Sequence, residues 1–308
     1  MKTFCNRQFF LAHGFLAILI CISLFAPKAR PTVREPWSML VGLAVIELLF
    51  LLSIITKQKN GILTKGPYDI ILFVWILIII WELWSSVFNK AHPVLIPCPE
   101  NIFDTFRVQW RTMLLNVGHS MQLLFVGFSI GLILATALGL IAGWTPRLRE
   151  FAYPIANVMA PIPAIVFSPY LVSLMPSFRS ASALVIILGV FWPTFLTTIN
   201  RVVSIEPQIL DSARMLNLNN RTMITHVLLP YILPGVVSGL RVSVATSMLS
   251  LNFAELMGAT HGMGYYVQNS ITYANYTQAV AGIVVIGIVV TVLNSVVKQI
   301  QKRAIKWR

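Results

Sequence analysis

"IEPQILDSARMLNLNNRTMITHVLLP", residues 205 to 230, is the longest polar interlude in the second half of an apolar chain. It is neither Gly/Ser-rich nor a charge run, and two long apolar stretches flank it. Glu206-Pro207 reads as a helix start, with an acidic residue near the positive end of the helix dipole and proline at a first-turn position. From there Ile209, Ala213 and Leu216 fall on one face with Ser212 beside them, and Asp211 and Arg214 fall on the other. Asn217 to Asn220 is a turn, because asparagine tolerates the left-handed conformation and caps helices. A second short helix follows, with Met223, Ile224, Val227 and Leu228 on one side, and Pro230 is expected to end it. The segment reads as a helix–turn–helix elbow, too short and too polar to cross a bilayer. Pattern alone leaves an amphipathic loop resting on lipid headgroups equally open.

Working outward, the chain has 308 residues, of which 57% are hydrophobic and only 11% charged, with a mean hydropathy of +0.78. A soluble domain carries about 25% charged residues, and a single globular core stops growing at about 250–300 residues. Lipid must cover the excess, so the class is an all-α polytopic membrane protein. A span needs about 20 mostly apolar residues. Eight candidates meet this, near 9–26, 38–56, 68–88, 115–143, 152–175, 181–203, 232–257 and 278–298. The stretch at 115–143 exceeds one bilayer, so its first turns are expected to project or tilt. The first span, with its basic start, resembles a signal peptide, but its apolar run is long and Pro27 stands where small residues would be needed. It reads as a retained span.

Eight spans put both termini on one side. If that side is the cytoplasm, it holds fifteen basic residues: two in the N-terminal tail, three at 57–65, two at 147–149, three at 201–221 and five at the C-terminal end. Seven lie outside and Arg241 falls within a span. This bias supports a cytoplasmic elbow and cytoplasmic termini. The net charge of +13 is thus spread over short loops, without the basic stripe of a nucleic-acid binder. Cys5, Cys21 and Cys98 lie far apart and imply neither a disulfide frame nor a zinc site. Residues 1–66, two spans and a basic loop, set themselves apart from a continuous unit, 67–308.

The elbow resembles the cytoplasmic signature loop of ABC-importer permeases, whose pattern runs acidic-Ala-Ala, then Gly four residues after the second Ala, and closes on Leu-Pro. Here Asp211-Ser212-Ala213 stands for the first part, Asn217 for the Gly, and Leu228-Leu229-Pro230 for the close. "WELW" (81–84), "LIPCPENIFDTF" (95–106), "PRLREFAYPIANVMAPIPAIVFSP" (146–169), "FWPTFLTTINRV" (191–202), "GLRVSVA" (239–245) and "AELMGATHGMGYYV" (254–267) are similar, in this order, to the nitrate/sulfonate/taurine branch. The likeness runs from about residue 78 to 300. It implies a six-span type I importer core, preceded here by two extra spans, with a coupling loop at 204–230 that docks on an ATPase subunit, moving a small solute (a nitrate-, sulfonate- or taurine-like anion or a vitamin precursor) by alternating access. Its implied partners are two ABC ATPase subunits, an extracytoplasmic solute-binding protein, and a second permease chain as homodimer or heterodimer, in the inner membrane. Glu206, Asp211, Ser212, Ala213, Arg214, Asn217, Arg221 and Pro230 are its coupling candidates, against a plain solvated face. Asn217 and Ser212 depart from the pattern, as does "LMPSFRS" (174–180), where the branch has a Gly-containing turn.

Charge within a span is costly and marks functional candidates. Glu47 and Glu82 lie in the second and third spans, where a structural role leads for Glu47. Arg241 is a candidate for the pathway or an anchor of the elbow through backbone carbonyls; Asn252 and Glu255, near the outer end of the same span, are candidates for the pathway or its gate. An interfacial, snorkelling Glu255 is the bland rival. Pro161 and Pro163 predict a kink in the fifth span, and broken helices border transport pathways, though packing explains them equally. Arg107, Arg111 and Arg179 suggest a positive outer surface. His119 has no second ligand at helical spacing, so no metal is expected. No G-x-x-x-x-G-K-[ST] loop, Ser/His/Asp set or H-E-x-x-H is present, so the chain reads as a transport subunit without cofactor or catalytic motif. The rival is an ion-coupled secondary transporter using intramembrane carboxylates such as Glu47 and Glu82. The absence of a matching inverted repeat weighs against it.

Overall fold

A computed structural model describes residues 7–59 and 65–304, and all regular structure among them is helical. Helices α1 (Arg7–Phe25), α2 (Trp37–Lys59) and α3 (Gly66–Glu82, prolonged by a π-helical turn Leu83–Val87) occupy the first three expected spans. Helix α4 (Pro99–Trp144) starts well before the expected 115, at a proline with Glu100 in its first turn. Its 46 residues reach about 69 Å at 1.5 Å per residue, roughly twice the hydrocarbon thickness. The expected fifth span is broken. Helix α5 (Pro146–Met159) and the segment Ala164–Leu174, a 3-10 turn leading into α6 (Ser168–Leu174), meet at 82°. Pro161 and Pro163 sit exposed at the break, and Pro163 is extended. Among the described residues, seven helices are long and apolar enough to cross a membrane, and eight if the bent pair is one span.

Helix α7 (Phe178–Val203) leads to the elbow. Helix α8 (Pro207–Met215) is followed by a single turn, α9 (Asn220–Thr222), a π-helical stretch Met223–Leu228, and α10 (Leu229–Leu256). The last three run on as one 37-residue helix, Asn220–Leu256. Pro230 therefore does not end the second elbow helix, contrary to expectation. A proline ring clashes with the carbonyl four residues back. The wide π turn immediately before it adds a residue to the turn and shifts that carbonyl, so the helix continues. Helices α11 (Met263–Thr272) and α12 (Tyr276–Ala304) complete the chain.

Two compact units are distinguished, residues 1–112 with 269–283 and residues 113–268 with 284–308. In the first, Leu19, Met39, Leu43, Ile54, Tyr68 and Trp75 of α1, α2 and α3 bury one another, with Phe103 of α4 packed against them. The α1–α2 loop straps this bundle with three cations. Lys28 Nζ donates to Glu82 Oε1 at 2.5 Å and also reaches Glu100 Oε1. Burial works against its charge, but hydrogen bonds and charge from Glu100 and Glu82 prevail and hold the Lys28 pKa above the ordinary lysine value. Arg30, itself buried, donates to the carbonyls of Ala91 (2.7 Å) and Ile96 (2.8 Å) and to Asn89 Oδ1 (3.0 Å). Arg34 and Arg107 share Asp104.

The second unit is built on a seam of small residues. Gly127, Gly131, Ala135, Gly139 and Gly143 recur at every fourth position of α4 and seat α7 against it. A Cβ at Gly131 would stand 3.0 Å from the Ile187 carbonyl oxygen, one at Gly139 2.7 Å from Thr198 Cβ, and one at Gly143 2.8 Å from Val202 Cβ. Apolar side chains gain nothing by leaving lipid for one another, so helices in a bilayer associate by this kind of close backbone approach. Helix α10 completes the core, where Leu124, Ile186, Val190, Met248 and Leu251 cluster. Phe125, Ile133 and Val242 remain exposed on the helix surfaces, as lipid-facing side chains do.

Candidate functional site

The elbow stands on its own small core. Ala213 of α8 is buried with Val202, Ile205, Met223, Leu228 and Ile232, and Ile209, Leu210 and Ile224 pack around them. Leu228 and Ile232 belong to the continuous helix Asn220–Leu256, so this packing ties α8 to that helix. Asn217 has φ +50, the left-handed conformation expected of the residue at the turn. Asn219 then caps the returning helix, its Oδ1 accepting from Thr222 N at 2.8 Å. Glu206, Asp211, Ser212, Asn217, Arg221 and Pro230 are exposed, so the elbow presents them outward; the side chain of Arg214 lies outside the described residues. Two expectations need correction. Ala213 is turned inward and contributes no outer surface, and Leu216, expected on its face, is 73% exposed. The cause is that α8 stops at Met215, so the helical register no longer applies to Leu216. Met215 itself is 89% exposed.

At the far end of α10 the candidates divide. Glu255 is 2% exposed and its carboxylate is engaged on both oxygens. Ser120 Oγ donates to Oε1 at 2.5 Å, and the Gly264 amide donates to Oε2 at 2.7 Å. Ser120 Oγ accepts in turn from Met263 N (2.8 Å), and Asn116 Oδ1 accepts from Gly262 N (2.8 Å). Asn252 Nδ2 donates to the Met248 carbonyl at 2.9 Å. His119 and His261 stack with ring centroids 5.0 Å apart, and no group of three metal-ligating side chains exists among the described residues. Arg241 is exposed and donates to no carbonyl among the described residues, so its expected role as an elbow anchor finds no contact here. Sequence reading singled out Glu255 but not Asn116 and Ser120. Their spacing of four on α4 was the available signal, and its partner helix was not legible.

A continuous helix joins an exposed, self-supporting elbow to a bilayer span, and an 82° broken helix accompanies it. The model of the family "Binding-protein-dependent transport system inner membrane component" matches residues 127–306, which contain the elbow and both ends of α10.

The chain belongs to this family.

Among curated relatives, it is 26% identical over 258 residues to a protein described as an aliphatic sulfonates transport permease, SsuC, of Bacillus subtilis (strain 168), covering 82% of this chain and 92% of that one. It is 25% identical over 261 residues to the taurine transport system permease protein TauC of Escherichia coli (strain K12), covering 81% and 91%. To the nitrate import permease protein NrtB of Leptolyngbya laminosa it is 25% identical over 237 residues, covering 75% and 85%. A solved chain of the MetNI methionine ABC transporter in an inward-facing conformation shares the fold, with a TM-score of 0.55 at 18% identity over 63% of this chain and 97% of that one. The expected ABC-importer permease of the nitrate/sulfonate/taurine type is borne out. As a member of this family, the protein is a multi-pass transport subunit whose partners are an ATPase and a solute-binding protein, and the ion-coupled alternative is not favoured.

Proposed function

We propose that this chain, through residues 67–308, forms the translocation pathway of an ATP-driven importer for a small anionic solute of the sulfonate, taurine or nitrate kind. Residues 1–66 are its extension, both termini are cytoplasmic, and the inner membrane is its site. Two ATPase subunits bind the elbows of two permease chains, and a binding protein delivers solute from outside. Closure of the ATPases draws the elbows together and rocks the attached spans outward, giving alternating access. The observation that carries this reading is the elbow. Its polar outer face (Glu206, Asp211, Ser212, Asn217 and Arg221) is exposed, while Ala213 and Leu228 fasten its inner face to the helix that becomes α10. A surface so held transmits a push instead of folding under it. Arg241, exposed along α10, supplies a cation for an anionic solute in the pathway, where a charge is costly unless it has a role. Pro161 and Pro163, at the broken helix, and Asn252 border that pathway. Glu47 and Glu82, which an ion-coupled mechanism would need, are engaged by His13 (2.9 Å) and Lys28 (2.5 Å).

The test is affinity purification of the tagged chain in mild detergent. An ABC ATPase is expected to come down with the wild type and to be lost with Asp211→Lys/Ser212→Arg, which changes only exposed positions. Substituting Ala213 is unsuitable, since it would break the elbow's own core. A folded chain that brings down no ATPase in either form would overturn the reading.

A further inference from the structure

We infer that Glu255 is a positioning residue that makes the outer helix α11 move with the coupling elbow; this rests on the importer reading above. The first observation is the continuity of Asn220–Leu256, 37 residues or about 55 Å of helix at 1.5 Å per residue. The elbow turn opens it at Asn220, and Glu255 is its penultimate residue. A displacement imposed at one end therefore arrives at the other.

The second observation is what Glu255 holds. The amides of Gly262, Met263 and Gly264, which open α11, have no partner within their own helix. Each is taken by a side chain from elsewhere: Asn116 and Ser120 of α4 at 2.8 Å, and Glu255 of α10 at 2.7 Å. The Ser120 hydroxyl closes the set by donating to Glu255 at 2.5 Å. A carboxylate is well placed at the positive end of a helix dipole. If α11 left this position, Glu255 would be stranded, buried and short of a donor, and the amides would be left unpaired. The backbone fits with no slack. Gly262 has φ +127 and faces the Glu255 carboxylate where a side chain would be, and a Cβ at Gly264 would lie 2.5 Å from the Asn252 carbonyl oxygen. The end of α10 and the start of α11 thus form one rigid joint, and Glu255 is its pin.

The experiment uses the full chain with its co-purifying ATPase in nanodiscs, Cys5 and Cys21 replaced by serine, and a reporter cysteine at exposed Ile271 on α11. The rate of maleimide labelling at this cysteine is compared with and without ATP and vanadate. The wild type is expected to show an ATP-dependent change in rate. Glu255→Leu should lose that change while ATPase co-purification and ATP hydrolysis persist, and Glu255→Gln, which keeps an acceptor for the Gly264 amide, should restore it. If Glu255→Leu does not assemble, the milder Asn116→Ala/Ser120→Ala is read in the same way. A purely structural role would lower assembly, hydrolysis and response in parallel in the milder variant as well, and would overturn the inference. An unchanged response in an assembled Glu255→Leu complex, or no response in an ATPase-bound wild type, would also overturn it. Absence of any ATPase would instead overturn the importer reading itself.

Discussion

The ion pairs of the α1–α2 strap show how far single residues depend on their neighbours. Lys28 is the shared cation of Glu82 and Glu100, both fully buried. Removing one partner of a buried pair costs about 3–5 kcal/mol because the other charge is stranded. Lys28→Met is therefore expected to lower the melting temperature in detergent clearly, and Lys28→Met/Glu82→Gln to recover part of the loss by removing one stranded carboxylate. Asp104 is likewise shared by Arg34 and Arg107, so the face that carries them is less positive than a count of arginines suggests. Arg241 behaves differently, being exposed along α10 with no hydrogen bond to the described chain. Arg241→Gln is expected to raise the half-saturation concentration for taurine or nitrate uptake about tenfold, equivalent to about 1.4 kcal/mol, without changing ATPase co-purification. Equal uptake by wild type and variant would remove Arg241 from the pathway. At this scale the sequence pointed to Asn217, Glu255 and Arg241 by residue type. Their roles diverged because contacts decide them: Ser120, one of the two partners of the Glu255 carboxylate, lies 135 residues away in the chain.

At the scale of elements, the α4–α7 seam is the tightest demand on the sequence. A larger side chain in a filled seam costs about 1–3 kcal/mol. Gly139→Leu is expected to reduce thermal stability by that order. Gly118→Leu, on the same helix but with nothing within 4 Å of an added Cβ, should leave it near the wild-type value. A similar loss at both sites would mean that helix propensity, not the seam, is being read. Pro230 offers a second test. Because the helix already runs through it, Pro230→Ala should keep assembly with the ATPase and a melting temperature at or above that of the wild type. A collapse of the elbow would show that the proline does set its angle. The Pro161–Pro163 break was legible because proline acts locally, through its ring and missing amide. The passage through Pro230 was not, because it depends on a π turn whose hydrogen bonds are settled by the packing of Met223 and Leu228 in the elbow core.

For the whole molecule, the first three helices share one core, in which Tyr68 and Trp75 of α3 are buried against α1 and α2. Deleting residues 1–64 should therefore uncover that face, and the truncated chain should accumulate poorly in membranes and aggregate on size exclusion. Wild-type yield and a monodisperse peak would show α3 to be independent of the two helices before it. The sequence by itself determined the membrane class, where most of the spans lie, the elbow and its left-handed turn. Apolar run length, side-chain charge and the conformational habits of proline and asparagine act within a few residues and need no knowledge of the fold. Tertiary structure alone decided that Leu216 leaves the face of Ala213, that the small residues 127 to 143 seat α7, that Lys28 serves two carboxylates, and that Glu255 pins the start of α11. Each of these is a contact between segments far apart in the chain. A side chain's type limits which partners it accepts, and only packing chooses among them.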